Sequence, residues 1–322
     1  MAGDGMDLNG FLNINKPSGW TSHDVVAKIR NLLGVQKVGH AGTLDPAATG
    51  VLPVCIGKAT KVAQFLLETD KQYRLVMRLG ETTDTLDATG TILERKPAVS
   101  VGHDLIRKAV EGFRGSQMQT VPMFSAVKVG GRPLYKSARQ NLQVERPSRR
   151  ILIYAIQVTG IRDRPEAGVI DVEMDVACSK GTYIRVLCAD IGEKLGTGAH
   201  LFRLERRASG PFEIGDSIDL EEVARRTADG SIGEVLTSIS KALSGYSSLR
   251  VNPKASGRVI HGGGISGEEL TDAPTKFKTG ETVLVYNSGN ELVALASALM
   301  SRDGPAEGPP AGLVFKIDKV LV

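Results

Sequence analysis

Residues 39–52 read Gly-His-Ala-Gly-Thr-Leu-Asp-Pro-Ala-Ala-Thr-Gly-Val-Leu. Glycine, threonine and proline recur every few residues, so residues 39–57 cannot form one regular helix or strand, and we interpret them as a shaped loop with short flanks. The small residues allow close approach of another backbone, and they surround a single carboxylate, Asp45. An arbitrary Asp-Pro most often forms a tight turn in which the aspartate bonds its own backbone. A catalytic role for Asp45 therefore depends on the rest of the chain.

Helical and alternating segments flank this loop on both sides. Thr21 and Asp24 predict a capped helix start, and apolar residues at helical spacing follow until Gly34 ends the helix. Later segments alternate as strands at 73–79, 151–159 and 169–177, and one repeats at helical spacing at 104–113. Because buried parallel strands would be continuously apolar, the alternation favours a mixed, mainly antiparallel sheet flanked by helices, which is an α+β fold.

The character of the sequence changes near residues 244–248. Beyond that point glycine-rich turns separate short strand candidates, at 282–286, 292–296 and 313–317. The change predicts a domain boundary, with a catalytic domain at 1–246 and a small β-barrel-like domain at 247–322.

A second segment that could carry chemistry is Cys178-Ser-Lys-Gly-Thr-Tyr-Ile-Arg185. It follows a predicted strand and opens a helix, which puts Arg185 in the first helical turn, where it can face a cleft. An exposed arginine paired with a nearby carboxylate is the alternative. Tyr73 and Tyr183 are by default half-buried aromatics with a solvated hydroxyl.

Residues 119–150 carry the strongest local charge excess. Seven cations face one acid, Glu145, with Phe124 and Tyr135 interleaved. The cations are Lys128, Arg132, Lys136, Arg139, Arg146, Arg149 and Arg150. This pattern suits a phosphate backbone, although a solvated loop would also explain it.

Composition excludes several classes of protein. The 322 residues, 41% hydrophobic and 24% charged, are enough for two globular domains, and a net charge of +4 permits a polyanionic partner without requiring one. Cys55, Cys178 and Cys188 are odd in number and form no CxxC pair, which argues against disulfides. No apolar run is long enough to cross a membrane, and the polar N-terminus is unlike a secretory signal, so we expect a cytoplasmic protein. Phosphate-loop, dinucleotide and metal-ligand spacings are absent, so we expect neither cofactor nor metal.

Together these segments resemble the bacterial transfer RNA pseudouridine-55 synthases, the TruB family. The resemblance rests on Asn15-Lys16-Pro17, the 39–52 loop, Lys71-Gln72-Tyr73, Ser125-Ala126 with Lys128, and Cys178 to Arg185. These motifs occur in the family's order and span residues 11–246, while the C-terminal stretch looks like the small β domain called PUA.

The resemblance implies that a uridine at position 55, in the T-loop of transfer RNA, is isomerised to pseudouridine after being flipped into an apolar, aromatic pocket. It implies that Asp45 is the catalytic aspartate, that Tyr73 stacks on the uracil and acts as a base, and that Arg185 pairs with Asp45. Supporting positions match as well. These are the pocket-lining Tyr183 and Leu204, Lys16 beside the site, His40 holding the flipped base, and Lys128, Arg132, Arg149 and Arg150 in an RNA-clamping insert.

The implied partner is the T-arm stem-loop of transfer RNA, and we expect a monomer. The sequence departs from the family at Phe124, where tyrosine is frequent, at Val121, where a Pro-Pro pair is frequent, and at Asn141, a usual glycine. All three positions fall in the basic insert, so they affect RNA contacts rather than the reaction.

One carboxylate is chemically sufficient, because the uracil is detached at nitrogen 1 and rejoined at carbon 5 without oxidation or hydrolysis. Asp45 could attack the anomeric carbon, add to carbon 6 of the base, or start elimination to a glycal. Desolvation would raise the pKa of Asp45, and a guanidinium from Arg185 would oppose that rise. Two rival functions remain: a base glycosylase, which would release uracil, and an RNA-folding protein with a vestigial pocket.

Overall fold

The computed structural model describes residues 8–140, 142–304 and 312–322, and Asn141 lies outside them. The α-helices in these residues are α1 (Ser22–Leu33), α2 (Ala63–Leu67), α3 (His103–Glu111), α4 (Leu134–Ala138), α5 (Ile184–Lys194), α6 (Leu220–Ala228), α7 (Ile239–Ala242) and α8 (Pro253–Val259).

The strands before residue 246 are β1 (Gly10–Lys16), β2 (Val38–His40), β3 (Thr49–Ile56), β4 (Lys71–Leu79), β5 (Glu81–Thr83), β6 (Ile92–Arg95), β7 (Gly115–Thr120), β8 (Lys128–Val129), β9 (Arg132–Pro133), β10 (Ser148–Arg164), β11 (Val169–Cys178), β12 (Ala199–Ser209) and β13 (Phe212–Glu213). The later strands are β14 (Ser247–Val251), β15 (Ile265–Ser266), β16 (Leu270–Asp272), β17 (Lys276–Phe277), β18 (Thr282–Tyr286), β19 (Leu292–Ala298), β20 (Arg302–Asp303) and β21 (Leu313–Val320).

Nine strands of the described chain form one large sheet. Its main order is β1-β3-β12-β4-β11-β10-β7, with β2 added to β3 and β13 added to β12. Its strand pairs are antiparallel except β3 and β12, which run parallel through Thr49 and Gly50. The predicted mixed, mainly antiparallel α+β architecture is therefore confirmed.

The alternation of the strands builds the core under this sheet. On β4 the buried side chains are at every second position, including Leu75, Met77 and Leu79. Helix α5 covers them with Leu187 and Ile191. On the other face of β4, Arg74 and Arg78 pair with acidic residues of β11 and remain in contact with solvent.

Helix α1 has the predicted ends. Thr21 and Asp24 form a reciprocal capping box, and Gly34 adopts the left-handed conformation at φ 65°. The cap satisfies amide groups that would otherwise lack partners, and glycine allows the chain to leave the helix at little steric cost.

The loop interpretation of residues 39–57 is wrong for its second half. Residues 49–56 form the eight-residue strand β3, which pairs with β1 along its whole length. The run from Val51 to Ile56 is fully buried, and burial between β1 and the core outweighs the local effect of Pro53. The irregular loop is confined to residues 41–48.

A second, barrel-like sheet is built from the C-terminal strands in the order β15-β21-β19-β18-β14-β16. The predicted strand at 282–286 has the predicted bounds, and those at 292–296 and 313–317 extend to Ala298 and Val320. The two sheets share a hydrophobic cluster, because Leu284 and Leu295 pack with Phe11 and Val51.

No helix in residues 8–140, 142–304 and 312–322 is both long and apolar enough to cross a membrane.

We predict that Gly50→Ala lowers the free energy of unfolding by about 3 kcal/mol or more. Gly50 has a φ of 99°, which alanine rarely adopts, and a Cβ added there would lie 2.8 Å from the backbone nitrogen of Arg206. Denaturant unfolding measures the change. Gly257→Ala is the matched control: it lies in α8 with open space around it and should stabilise the chain by about 0.5–1 kcal/mol. Equal effects of the two substitutions would contradict the packing argument.

Candidate active site

A cavity of about 1100 Å³ opens where the 41–48 loop meets β4, β12 and the start of α5. One further wall comes from the basic segment, through Phe124, Ser125 and Tyr135. Seven of the predicted site residues line this cavity: Asp45, Tyr73, Arg149, Arg150, Tyr183, Arg185 and Leu204. The fold thus brings together residues that lie up to about 160 positions apart.

The loop that carries Asp45 is tied to the start of α1. Ser22 accepts from the Leu44 amide at 2.9 Å and donates to the Leu44 carbonyl at 3.2 Å. The amide of Gly19 donates to the Pro46 carbonyl at 2.9 Å. These bonds fix the backbone on both sides of Asp45.

Asp45 and Arg185 form an ion pair. Arg185 Nε lies 2.8 Å from Asp45 Oδ2, and Arg185 Nη2 lies 3.4 Å from Asp45 Oδ1. The Arg185 side chain is 6% exposed, whereas that of Asp45 is 40% exposed towards the cavity. The predicted proximity of these two groups is confirmed, and the carboxylate remains accessible from the cavity.

The rest of the Arg185 guanidinium is also satisfied. It donates to the carbonyls of Thr85 and Phe124, each at 3.0 Å. A second carboxylate, Asp87, lies 3.8 Å from Arg185 Nε and accepts hydrogen bonds from Thr85 and Thr89. Arg185 is therefore fixed between two acids and two backbone segments.

Asp87 was missed in the sequence analysis, although a signal was available. The tripeptide Thr-Leu-Asp occurs twice, at 43–45 and at 85–87, each followed within five residues by Ala-Thr-Gly. The structure brings the two aspartates to the same arginine.

Burial raises the pKa of the Asp45 carboxyl above its ordinary value; Arg185 opposes that rise, while Asp87 adds to it. The net shift is upward despite the ion pair. Asp45 is therefore a more basic carboxylate than an exposed aspartate, which suits either a nucleophile or a proton acceptor.

Tyr73 and Tyr183 supply aromatic surface to the cavity. Burial raises the pKa of Tyr73 to about 12. The backbone of Tyr183 exchanges two hydrogen bonds with the buried side-chain amide of Gln119, at 2.8 and 3.1 Å. The Arg149 guanidinium lies 5.0 Å from the centre of the Tyr183 ring, a cation–π distance.

Lys16 and His40 lie outside the cavity lining. Lys16 is completely buried, and its ammonium donates to the carbonyls of Pro17, Trp20 and Pro46 at 2.7–3.1 Å. Burial lowers the pKa of Lys16 to about 8. His40 ends β2 with its ring edge-on to His23, and burial lowers its pKa to about 4, so it is neutral at pH 7. Lys16 thus supports the loop from behind through its bond to Pro46.

The cations of the basic segment separate into two groups. Arg149 and Arg150, at the start of β10, line the cavity, whereas Lys128 and Arg132, on the β8–β9 hairpin, do not. Lys128 is exposed, and Arg132 is half-buried and donates to the Lys136 carbonyl at 3.4 Å.

Arg206 was also missed. It lies on β12, is 2% exposed, and donates to the carbonyls of Gly42 and Val51 at 3.0 and 2.7 Å. Strand alternation gives a weak signal, because consecutive Arg206 and Arg207 must point to opposite faces and one of them must therefore face the interior.

Within the described ranges, which omit residues 1–7, 141 and 305–311, no three His, Cys, Asp or Glu side chains are grouped to hold a metal ion.

Comparisons with known proteins agree on one family. Residues 30–184 match the TruB family pseudouridylate synthase N-terminal domain, and residues 185–244 match the tRNA pseudouridylate synthase B C-terminal domain. A tRNA pseudouridine synthase B of Clostridium acetobutylicum is 41% identical over 314 residues, which cover 98% of this chain and 100% of that protein. Another, of Geobacillus kaustophilus, is 45% identical over 256 residues, covering 79% and 90% of the two chains.

A solved structure shares the fold over almost the whole length. A chain in the crystal structure of a Cbf5–Nop10–Gar1 complex superposes with a TM-score of 0.77 at 32% identity, covering 97% of this chain and 85% of that one.

We predict opposite effects of the two neighbours on the Asp45 carboxyl. Arg185→Met should raise its pKa further, because a stabilising charge is lost, and Asp87→Asn should lower it, because a repelling charge is lost. Titration of the carboxyl ¹³C resonance of Asp45 measures both. Asp175→Asn, in an ion pair on the solvent-exposed face of the sheet, is the control and should leave the titration unchanged. Shifts in the reverse directions would contradict the assigned electrostatics.

Proposed function

The chain belongs to the TruB family of pseudouridylate synthases, and from that premise we propose that it isomerises uridine 55 in the T-loop of transfer RNA to pseudouridine, with Asp45 as the catalytic residue. The observation that carries the proposal is the ion pair of Asp45 with the buried Arg185 at the wall of a cavity large enough for a nucleotide. The curated relatives support transfer RNA as the substrate through their names, tRNA pseudouridine synthase B.

The cavity offers what the isomerisation requires. The Asp45 carboxylate is partly exposed at the cavity and can reach a bound nucleotide. Tyr73 and Leu204 provide an aromatic and an apolar surface against which a uracil can stack and turn. Close packing around the base keeps water from intercepting the detached uracil. Asp45 can attack the anomeric carbon, add to carbon 6 or start elimination, and each route ends with the base rejoined through carbon 5.

The basic segment 119–150 acts as an RNA clamp in this proposal. Arg149 and Arg150 stand at the cavity, where they can meet the phosphates beside a flipped nucleotide. Flipping a base costs on the order of a few kcal/mol, which such contacts offset. Lys128 is exposed on the β8–β9 hairpin and extends the cationic surface outward together with Arg132.

The two domains and the residues around the cavity have separate roles in this function. Residues 1–246 form the catalytic domain, and residues 247–322 form a PUA-like domain that adds RNA contacts. Lys16 holds the Asp45 loop, His40 helps to hold the flipped base, and Tyr183 shapes the wall. The chain acts as a monomer in the cytoplasm on the T-arm stem-loop.

We predict that Asp45→Asn lowers the rate of pseudouridine formation by at least about 1000-fold and leaves transfer RNA affinity within about threefold, because the amide is a poor nucleophile but fills the same space. Carbodiimide mapping of an unmodified T-arm stem-loop gives the position, and RNA mass distinguishes isomerisation, with no change, from base loss. Asp175→Asn is the control. Unchanged turnover in Asp45→Asn, or loss of mass with the unsubstituted chain, would overturn the assignment.

We predict that Arg149→Ala combined with Arg150→Ala weakens transfer RNA binding and reduces the slope of log K against log salt by roughly 1–2, because phosphate contacts release counterions. Binding titrations at several salt concentrations measure the slope. Arg225→Ala with Arg226→Ala removes the same charge from α6, away from the cavity, and should leave the slope unchanged. If both pairs change the slope equally, RNA does not bind preferentially at the cavity.

A further inference from the structure

Arg206 is the largest fully buried side chain of the described residues, at 2% exposure, and among those residues no carboxylate forms an ion pair with it. Its guanidinium donates to the loop and strand around Asp45: to Gly42 O at 3.0 Å, Thr43 O at 3.4 Å and Val51 O at 2.7 Å. A buried cation without a counter-ion is costly, and an apolar side chain would serve packing better. The retained charge therefore requires an explanation beyond packing.

The titratable group that most favours the charged form of Arg206 is the hydroxyl of Tyr73. Arg206 and Tyr73 face each other in the β4–β12 register. Both side chains line the cavity, and the charge of Arg206 opposes the rise that burial causes in the pKa of Tyr73. A positive charge in that position stabilises negative charge on the phenol oxygen, which is the form that accepts a proton.

We propose that Arg206 is a positioning residue that fixes the Asp45 loop and the Tyr73 hydroxyl as one unit, an inference that rests on the proposed function. The planar guanidinium donates to two carbonyls of the loop, and Arg206 stands opposite Tyr73 across β4 and β12, so one residue relates the position of the carboxylate to that of the phenol. Lys16 holds the other end of the loop at Pro46.

The geometry around Gly50 supports this arrangement. Gly50 pairs with Lys16 on one side and Arg206 on the other, so the two buried cations flank one glycine across three strands. Any side chain at residue 50 would displace the Arg206 backbone. The pairing of β1, β3 and β12 thus places Lys16 and Arg206 beneath the Asp45 loop.

A double-mutant cycle tests the inference by single-turnover pseudouridine formation with the full chain. Arg206→Lys keeps a charge but loses the planar fork, and we expect it to slow the reaction about 100-fold with transfer RNA affinity within about threefold. In a Tyr73→Phe background the same substitution should slow the reaction less than about 10-fold, because part of its effect acts through the missing hydroxyl. Arg207→Lys, which is paired with Glu205, is the control and should leave the rate unchanged.

Equal effects of Arg206→Lys in the two backgrounds would overturn the inference, because they would show a role independent of Tyr73. If Arg206→Lys does not fold, the coupling is measured in Tyr73→Phe instead: the slowly exchanging guanidinium ¹⁵N resonances of Arg206 should shift, and unshifted resonances would overturn it. An unsubstituted chain that forms no pseudouridine would contradict the proposed function, whereas an active chain without coupling would contradict this inference alone.

Discussion

The ion pair between Asp45 and Arg185 is the contact on which the site depends. It joins a loop between the second and third strands to the first turn of a helix 140 residues later. Because the guanidinium also holds the carbonyls of Thr85 and Phe124, four separate segments converge on one side chain. Arg185 is buried and Asp45 is partly exposed, so the arrangement presents a carboxylate of fixed direction to the cavity.

The electrostatics of this contact are a balance rather than a simple stabilisation. Arg185 favours the ionised carboxylate, but burial and the nearby Asp87 oppose it, and the pKa of Asp45 is raised on balance. Because its pKa is raised, the Asp45 carboxylate keeps more basicity than it would in a stronger ion pair. Asp87 lies beside the same arginine and repels negative charge on Asp45 directly.

The sequence predicts the parts of the site that lie within contiguous motifs. Asp45, Tyr73 and Arg185 each stand in a recognisable segment, and the structure places all three at one cavity. Local sequence signals for Arg206 and Asp87 are weak, because the position of Arg206 depends on strand register and that of Asp87 on its proximity to Arg185 across about 100 residues. The same limit applies to β3: its apolar run is evident, but only pairing with β1 makes it a strand despite Pro53. Charge excess alone also could not separate Arg149 and Arg150 from Lys128 and Arg132, because that division depends on where the β8–β9 hairpin turns away.

The hydrophobic core beneath the Asp45 loop connects that loop to the C-terminal sheet. Ala41, at the start of the loop, and Val51, just after it, belong to the hydrophobic cluster that also contains Leu284 and Leu295 of the second sheet. Lys61, in the short helix after β3, donates to the carbonyl of Val320 at the end of β21. Close-packed protein interiors transmit displacement, because buried side chains have little free volume into which to relax. The C-terminal sheet therefore supports the strand that follows the Asp45 loop. A change in its packing on Phe11 and Val51 would reach the carboxylate through the same strand that carries Gly50.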